Sequence, residues 1–152
     1  MAGMENTPKT ITKAIAELAI LVVEDHPLQQ KLLVNQLLQA GCRAIKIASD
    51  GAEALEVMAQ NPADLVFCDI HMPNMNGLQF VLAQGELARA AGQPLPMLVW
   101  MSSQEQQVLD AHALLAHAEG YRAVQAYPKP LTSCTVQQVL RRAISSGGGA
   151  TP

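Results

Sequence analysis

Two groups of carboxylates in this 152-residue chain stand directly after short apolar runs. Residues 65–68 are apolar and lead into Asp69, and residues 19–23 are apolar and lead into Glu24 and Asp25. Such runs, bounded by turn-forming residues, are typical of buried parallel strands. Because parallel strands present their carboxyl ends at one edge of a sheet, where open α/β folds bind ligands, we expect the three carboxylates to converge. They would then form a divalent-cation site beside a nucleophile.

One chemistry open to Asp69 as a nucleophile is phosphoryl transfer. A carboxylate can attack phosphorus to form an aspartyl phosphate, and this reaction needs neutralised charge and in-line positioning more than covalent help. Mg²⁺ suits the role because it prefers oxygen ligands and retains several waters. Without a cation the three carboxylates repel one another, so we expect the metal-free site to be strained. The alternative is that these residues only end strands or cap helices.

Two more polar residues follow later strand candidates. Ser102 comes directly after the apolar residues 97–101, and its hydroxyl could donate to a phosphoryl oxygen. Ser103 is its rival, and a helix N-cap is the alternative role. Lys129 stands between two prolines after the last apolar run. There its ammonium could pair with Asp69 at rest and with a phosphoryl oxygen afterwards.

Taken in order, these motifs resemble the receiver domain of two-component response regulators over roughly residues 19–143. The residues that carry the resemblance are Val22-Val23-Glu24-Asp25-His26-Pro27, Asp69 with Met72-Pro73 and Gly77, Ser102, and Lys129-Pro130. The resemblance implies an α/β fold of the flavodoxin-like (CheY-like) type. This is a three-layer sandwich with a five-stranded parallel sheet of order 2-1-3-4-5 and five helices.

The resemblance also implies a function. A histidine kinase or a phosphotransfer protein would phosphorylate Asp69 in a Mg²⁺-dependent reaction, and the phosphoryl group would switch a surface that binds a partner or an output domain. The domain would catalyse only its own phosphorylation and dephosphorylation, so it would not be an enzyme acting on an external substrate.

Roles for individual residues come from the same resemblance. Glu24, Asp25 and Asp69 would hold the metal together with the main-chain carbonyl of His71, whose side chain would tune hydrolysis. Ser102 and Lys129 would bind the phosphoryl group, with the Lys129–Pro130 bond cis.

The switch departs from the family pattern at one position. An aromatic residue often stands three positions before the lysine, but here that residue is Ala126. Tyr127 follows it and is expected on the opposite strand face, because side chains alternate along a strand. Tyr127 and Ser103 therefore remain candidate switch residues only, and the usual relay from a hydroxyl to an aromatic ring is in doubt.

Composition excludes several functions. The net charge is −3 and the longest basic run is Arg141-Arg142, so the chain alone carries no nucleic-acid footprint. No apolar segment approaches the ~20 residues of a membrane span, and the N-terminus lacks the apolar core of a signal peptide. The three cysteines have no zinc-binding spacing and cannot all pair. A reduced, cytoplasmic setting fits them best.

The chain divides into a flexible leader (residues 1–17), a receiver domain (18–145) and a flexible Gly-rich tail or linker (146–152). We expect strands over residues 19–23, 44–48, 64–68, 97–101 and 123–127. The fourth helix of the expected fold, around residues 108–118, is apolar on nearly all sides. A second subunit of a homodimer, or an output domain, packed on its outer face would explain why that face is apolar.

Three functions compete. The chain could be a stand-alone signalling domain, or the regulatory fragment of a longer response regulator. For the fragment, a weaker resemblance points to receivers attached to cyclic-di-GMP phosphodiesterase (EAL) outputs. The third is a phosphatase with an Asp nucleophile, which would carry an acid two positions after the nucleophile. His71 stands at that position, so the phosphatase is the weakest of the three.

Overall fold

A computed structural model describes residues 8–147 of the chain. Its five strands form one parallel sheet in the order β2-β1-β3-β4-β5, which confirms the expected topology. The strands are β1 Ala19–Val23, β2 Ala44–Ala48, β3 Leu65–Asp69, β4 Met97–Ser102 and β5 Arg122–Pro128. The helices are α1 Pro8–Glu17, α2 Pro27–Gln39, α3 Gly51–Gln60, α4 Gly77–Ala91, α5 Gln106–Glu119 and α6 Ser133–Arg142. A π-helical turn, Ala143–Gly147, follows α6.

The three central strands are the buried ones. All residues of β3 and β4 are buried, as are the last four of β1, whereas the edge strands β2 and β5 are mostly exposed or half-buried. Apolar side chains on both faces of these strands demand two covering layers. Leu21, Val66 and Trp100 face the layer of α3, α4 and α5, while Ile20, Phe67 and Val99 face the layer of α2 and α6.

Local signals fix where the helices begin. Asp50 precedes α3 and accepts a hydrogen bond from the Glu53 N–H at 2.8 Å. Asn76 precedes α4 in a full capping box: its side chain accepts from the Gln79 N–H, and the Gln79 side chain accepts from the Asn76 N–H, both at 2.9 Å. Such caps satisfy backbone donors that the first turn of a helix leaves without partners. The helices therefore start directly after the loops that carry the polar residues.

Two expectations about the ends of the chain are corrected. The flexible leader predicted over residues 1–17 is wrong for residues 8–17, which form α1 and raise the number of α-helices from five to six. Pro8 suits the first helical position, and Ile11 and Ile15, one turn apart, supply an apolar side; Ile15 packs against the core. Residues 1–7 lie outside the described residues.

At the other end, the predicted tail begins inside the π-helical turn, which runs to Gly147; residues 148–152 also lie outside the described part of the chain. The receiver boundaries of 18 and 145 stay a prediction. Between residues 8 and 147, no helix has both the length and the apolar character needed to cross a bilayer.

Candidate functional site

The carboxyl ends of four strands bring the predicted site residues together. Glu24 and Asp25 follow β1, Asp69 is the last residue of β3, Ser102 the last of β4, and Lys129 follows β5. Glu24, Asp69 and Ser102 are at most 4% exposed. Polar groups at the ends of buried strands thus meet at one edge of the sheet, where the parallel register places them side by side.

Lys129 is the centre of the site. Its ammonium Nζ donates to Asp69 Oδ2 at 3.1 Å, to Glu24 Oε1 at 3.1 Å and to Gln29 Oε1 at 2.6 Å. The side chain is 13% exposed. A lysine has three N–H donors, and the three acceptors match that number. The backbone N–H of Lys129 donates to the Ser102 carbonyl at 2.9 Å, and the bond from Lys129 to Pro130 is cis, as the resemblance implied.

The three carboxylates form a cluster with room for a cation. Glu24, Asp25 and Asp69 each offer an oxygen, and these atoms all lie within 4.8 Å of one another. Asp25 Oδ1 is buried and has no hydrogen-bond partner. A buried carboxylate oxygen without a partner is costly, and an oxygen-only donor set of this charge fits a hard divalent cation such as Mg²⁺. The residues present therefore fit the expected metal.

Several negative charges lie close together in this cluster, and the Lys129 ammonium is paired with two of them, Glu24 and Asp69. Burial raises the pKa of Glu24, and the negative charge of Asp69 raises it further, against the opposing effects of the His26 N–H and of Lys129. Burial alone would lower the pKa of Lys129, but its hydrogen bonds and charge interactions with Asp69 and Glu24 outweigh this and raise it. Lys129 is therefore firmly an ammonium.

The loop after β3 folds back over Asp69. The His71 N–H lies 3.4 Å from Asp69 Oδ1, and the His71 side chain is exposed. The Gly77 N–H donates to the Ile70 carbonyl at 3.0 Å. A Cβ added to Gly77 would lie 2.3 Å from the Asp69 carbonyl oxygen, so glycine is required where α4 begins against the end of β3.

The candidate switch residues lie on different faces of the sheet. Ser102 Oγ accepts from the Gln104 N–H at 3.0 Å, whereas Ser103 is exposed. Ala126 packs against the core beneath α3, α4 and α5, and Tyr127 packs against the core beneath α2 and α6. The expectation that Tyr127 faces away from Ala126 is therefore confirmed.

Two hydrogen bonds in and near the site are not predicted by any motif in the sequence. Gln29 on α2 reaches Lys129 from a position 100 residues away. Trp100, fully buried, donates its indole N–H to the His112 carbonyl on α5 at 2.9 Å. A polar residue in the first turns of α2 is unremarkable as a pattern, and only the tertiary arrangement shows what it contacts.

The comparisons with known proteins agree with this geometry. The family model for the response regulator receiver domain matches residues 20–132. The sensor histidine kinase RcsC of Escherichia coli is 36% identical over 96 residues, which cover 61% of this chain and 10% of that protein. The Regulator of RpoS of Escherichia coli strain K12 is 36% identical over 89 residues, 59% of this chain and 25% of that protein. The chain thus spans no more than a quarter of these relatives.

Solved structures share the fold. Vibrio cholerae chemotaxis protein CheY4 is 22% identical, with a TM-score of 0.67 over 83% of this chain and 98% of that one. The signal receiver domain of the putative response regulator NarL from Mycobacterium tuberculosis is 25% identical, with a TM-score of 0.67 over 85% of this chain and 97% of that one.

These findings define a receiver fold with an acidic, lysine-bearing site at the carboxyl edge of its sheet. The chain belongs to the response regulator receiver domain family, whose members act in two-component signal transduction.

Proposed function

We propose that Asp69 accepts a phosphoryl group from the phosphohistidine of a histidine kinase or a phosphotransfer protein. The observation that carries this proposal is the buried Asp69 carboxylate, 3.1 Å from Lys129 Nζ and within 4.8 Å of the oxygens of Glu24 and Asp25. A nucleophilic carboxylate, an acidic cation site and a fixed ammonium are the groups that phosphoryl transfer to aspartate needs.

In the proposed reaction a carboxylate oxygen of Asp69 attacks phosphorus, the P–N bond of the phosphohistidine breaks, and the bonding pair leaves with the imidazole. Glu24, Asp25, Asp69 and the main-chain carbonyl of His71 would hold Mg²⁺, which when bound supplies positive charge for the phosphoryl oxygens. Lys129 turns one N–H from Asp69 to a phosphoryl oxygen, and the Ser102 hydroxyl donates to another.

The consequence would be a change of surface. In this structure Ser102 Oγ accepts a hydrogen bond from the Gln104 N–H. Movement of Ser102 toward a phosphoryl oxygen would therefore displace the loop that leads into α5. Such a change biases an equilibrium between two conformations that a partner or output domain distinguishes. On this proposal the domain modifies only itself and has no external substrate.

Partners and setting remain proposals as well. The α5 face predicted to bind a second subunit or an output domain carries Leu114 at 73% exposure and Leu115 at 47%. Self-association in a sedimentation experiment would support the homodimer.

The three cysteines are free, which agrees with a cytoplasmic setting. The regulatory-fragment alternative, including its form with an EAL output, is not favoured. The phosphatase is not favoured.

The test is labelling by acetyl phosphate with and without Mg²⁺, followed on a phosphate-affinity gel. Wild type should give a shifted band that depends on Mg²⁺, Asp69→Asn should give none, and Asp110→Asn, an exposed carboxylate on α5, should behave like wild type. A band that persists in Asp69→Asn would place the phosphoryl group elsewhere. Failure of wild type both to label with acetyl phosphate and to bind the mimic beryllofluoride would refute the proposal.

A further inference from the structure

Gln29 makes the shortest of the three contacts of the Lys129 ammonium. Its Oε1 lies 2.6 Å from Nζ, against 3.1 Å for each carboxylate oxygen. Gln29 stands in the first turns of α2, on the side of Lys129 where a cavity of ≈ 270 Å³ opens. The walls of this cavity are mainly apolar, with Leu32, Leu33 and Leu131 among its lining residues.

The three acceptors differ in what happens to them when a cation and a phosphoryl group arrive. Glu24 and Asp69 belong to the carboxylate cluster, so a divalent cation would compete with Lys129 for their charge. Asp69 would also change chemically. Gln29 is neutral, lies outside that cluster and contributes an amide oxygen, so neither the cation nor the phosphoryl group competes for it directly.

We propose that Gln29 is a positioning residue, which holds the Lys129 ammonium beside Asp69 while metal and phosphoryl group occupy the carboxylates. The inference rests on the proposed phosphorylation of Asp69. Without the amide oxygen, one N–H of Lys129 would lose its protein acceptor beside a mainly apolar cavity. An ammonium donor without a partner is costly. The Lys129 side chain would therefore favour a rotamer in which the ammonium no longer points at Asp69.

The variant Gln29→Met keeps the length of the side chain and removes the acceptor. Because a hydrogen bond to the charged form of a group stabilises that form, the pKa of Lys129, measured from the ¹³Cε shift, should fall in Gln29→Met and rise in Gln29→Glu. The rate constant of phosphorylation by acetyl phosphate at saturating Mg²⁺ should fall about tenfold in Gln29→Met, as expected for loss of one hydrogen bond to an ammonium.

The matched control is Gln36→Met. Gln36 lines the same cavity, and its amide donates to the Leu131 carbonyl at 2.9 Å, with no hydrogen bond to the Lys129 ammonium. This variant should leave the pKa of Lys129 unchanged. In a Lys129→Met background, Gln29→Met should have no further effect on the phosphorylation rate, because the ammonium that Gln29 positions is absent.

The outcomes separate the two proposals. If wild type is phosphorylated and Gln29→Met matches it in rate and in the pKa of Lys129, the positioning role is refuted while Asp69 remains the acceptor. An equal fall of that pKa in Gln36→Met would also refute it, since polarity of the cavity would then be the cause. The pKa measurement needs no phosphorylation, so it stands even where labelling fails.

Discussion

Replacing Lys129 by methionine removes the one positive charge from the site and keeps an unbranched side chain. Nζ lies 3.1 Å from both Glu24 Oε1 and Asp69 Oδ2, and the three side chains are 13%, 2% and 6% exposed. At an effective dielectric constant of ~20, each contact corresponds to a gross attraction of ~5 kcal/mol. Most of this is offset by desolvation, and removing one partner of a buried pair typically costs ~3–5 kcal/mol.

We therefore expect the free energy of unfolding of Lys129→Met, at about pH 7.5 without divalent cations, to fall by ~3 kcal/mol. The loss should depend on pH. Burial and Asp69 already raise the pKa of Glu24 in the native protein, and loss of the ammonium raises it further. A carboxyl whose native pKa exceeds its unfolded pKa binds more protons when folded, so stability rises as pH falls through the native value. The loss of unfolding free energy in Lys129→Met should therefore be smaller at about pH 5 than at about pH 7.5.

The assay is urea unfolding followed by circular dichroism at both pH values, with and without Mg²⁺. Saturating Mg²⁺ at the higher pH should also shrink the deficit, because it replaces the missing positive charge. Lys46→Met, an exposed lysine of β2, should change stability by no more than ~0.5 kcal/mol. A deficit of Lys129→Met that is equal at both pH values would show that packing is lost instead of charge, and no deficit at all would refute the electrostatic account.

Three further outcomes can be checked on the same protein. Gly77→Ala should lower the free energy of unfolding by ~2 kcal/mol or more in urea, because its Cβ would lie 2.3 Å from the Asp69 carbonyl oxygen; a variant as stable as wild type would contradict this packing. In native protein a thiol reagent should label exposed Cys134 but not Cys68, whose pKa burial raises, and mass spectrometry of the peptides distinguishes them. Trp100, the single tryptophan, is fully buried on the strand that ends at Ser102, so its emission should change with Mg²⁺ and beryllofluoride; constant emission would mean that β4 keeps its packing.

The sheet could be predicted because its central strands are continuous apolar runs between turn residues. β1 and β2 have the expected bounds, and β3, β4 and β5 differ by one residue at one or both ends. Prediction of the site followed from prediction of the strands. Once parallel strands are assumed, every polar residue at a strand's carboxyl end is placed at the same edge, which is how Glu24, Asp69 and Lys129 could be grouped without any knowledge of their distances.

Side-chain contacts between distant elements could not be predicted in the same way. The bond from Lys129 to Gln29 depends on how α2 lies over the end of β5, and no spacing in the sequence encodes that distance. The helix α1 was missed for a different reason. Its short apolar side packs on other parts of the chain, including a contact between Ile15 and the core, and a ten-residue helix gains most of its stability from such packing and not from its own sequence.

The proposed switch would depart from the family pattern in the faces of β4 and β5 that its side chains occupy. Ser102 and Trp100 stand two residues apart and share one face, while Tyr127 packs on the other side of the sheet. Trp100 lies on the serine's side of the sheet together with Phe80 and Tyr121, and its indole N–H donates to the His112 carbonyl on α5. A displacement of Ser102 toward Asp69 would move the end of β4, the strand whose Trp100 is hydrogen-bonded to α5. On the proposed function, phosphorylation of Asp69 would therefore reach α5 through the end of β4 and the Ser102–Gln104 bond, without rotation of Tyr127.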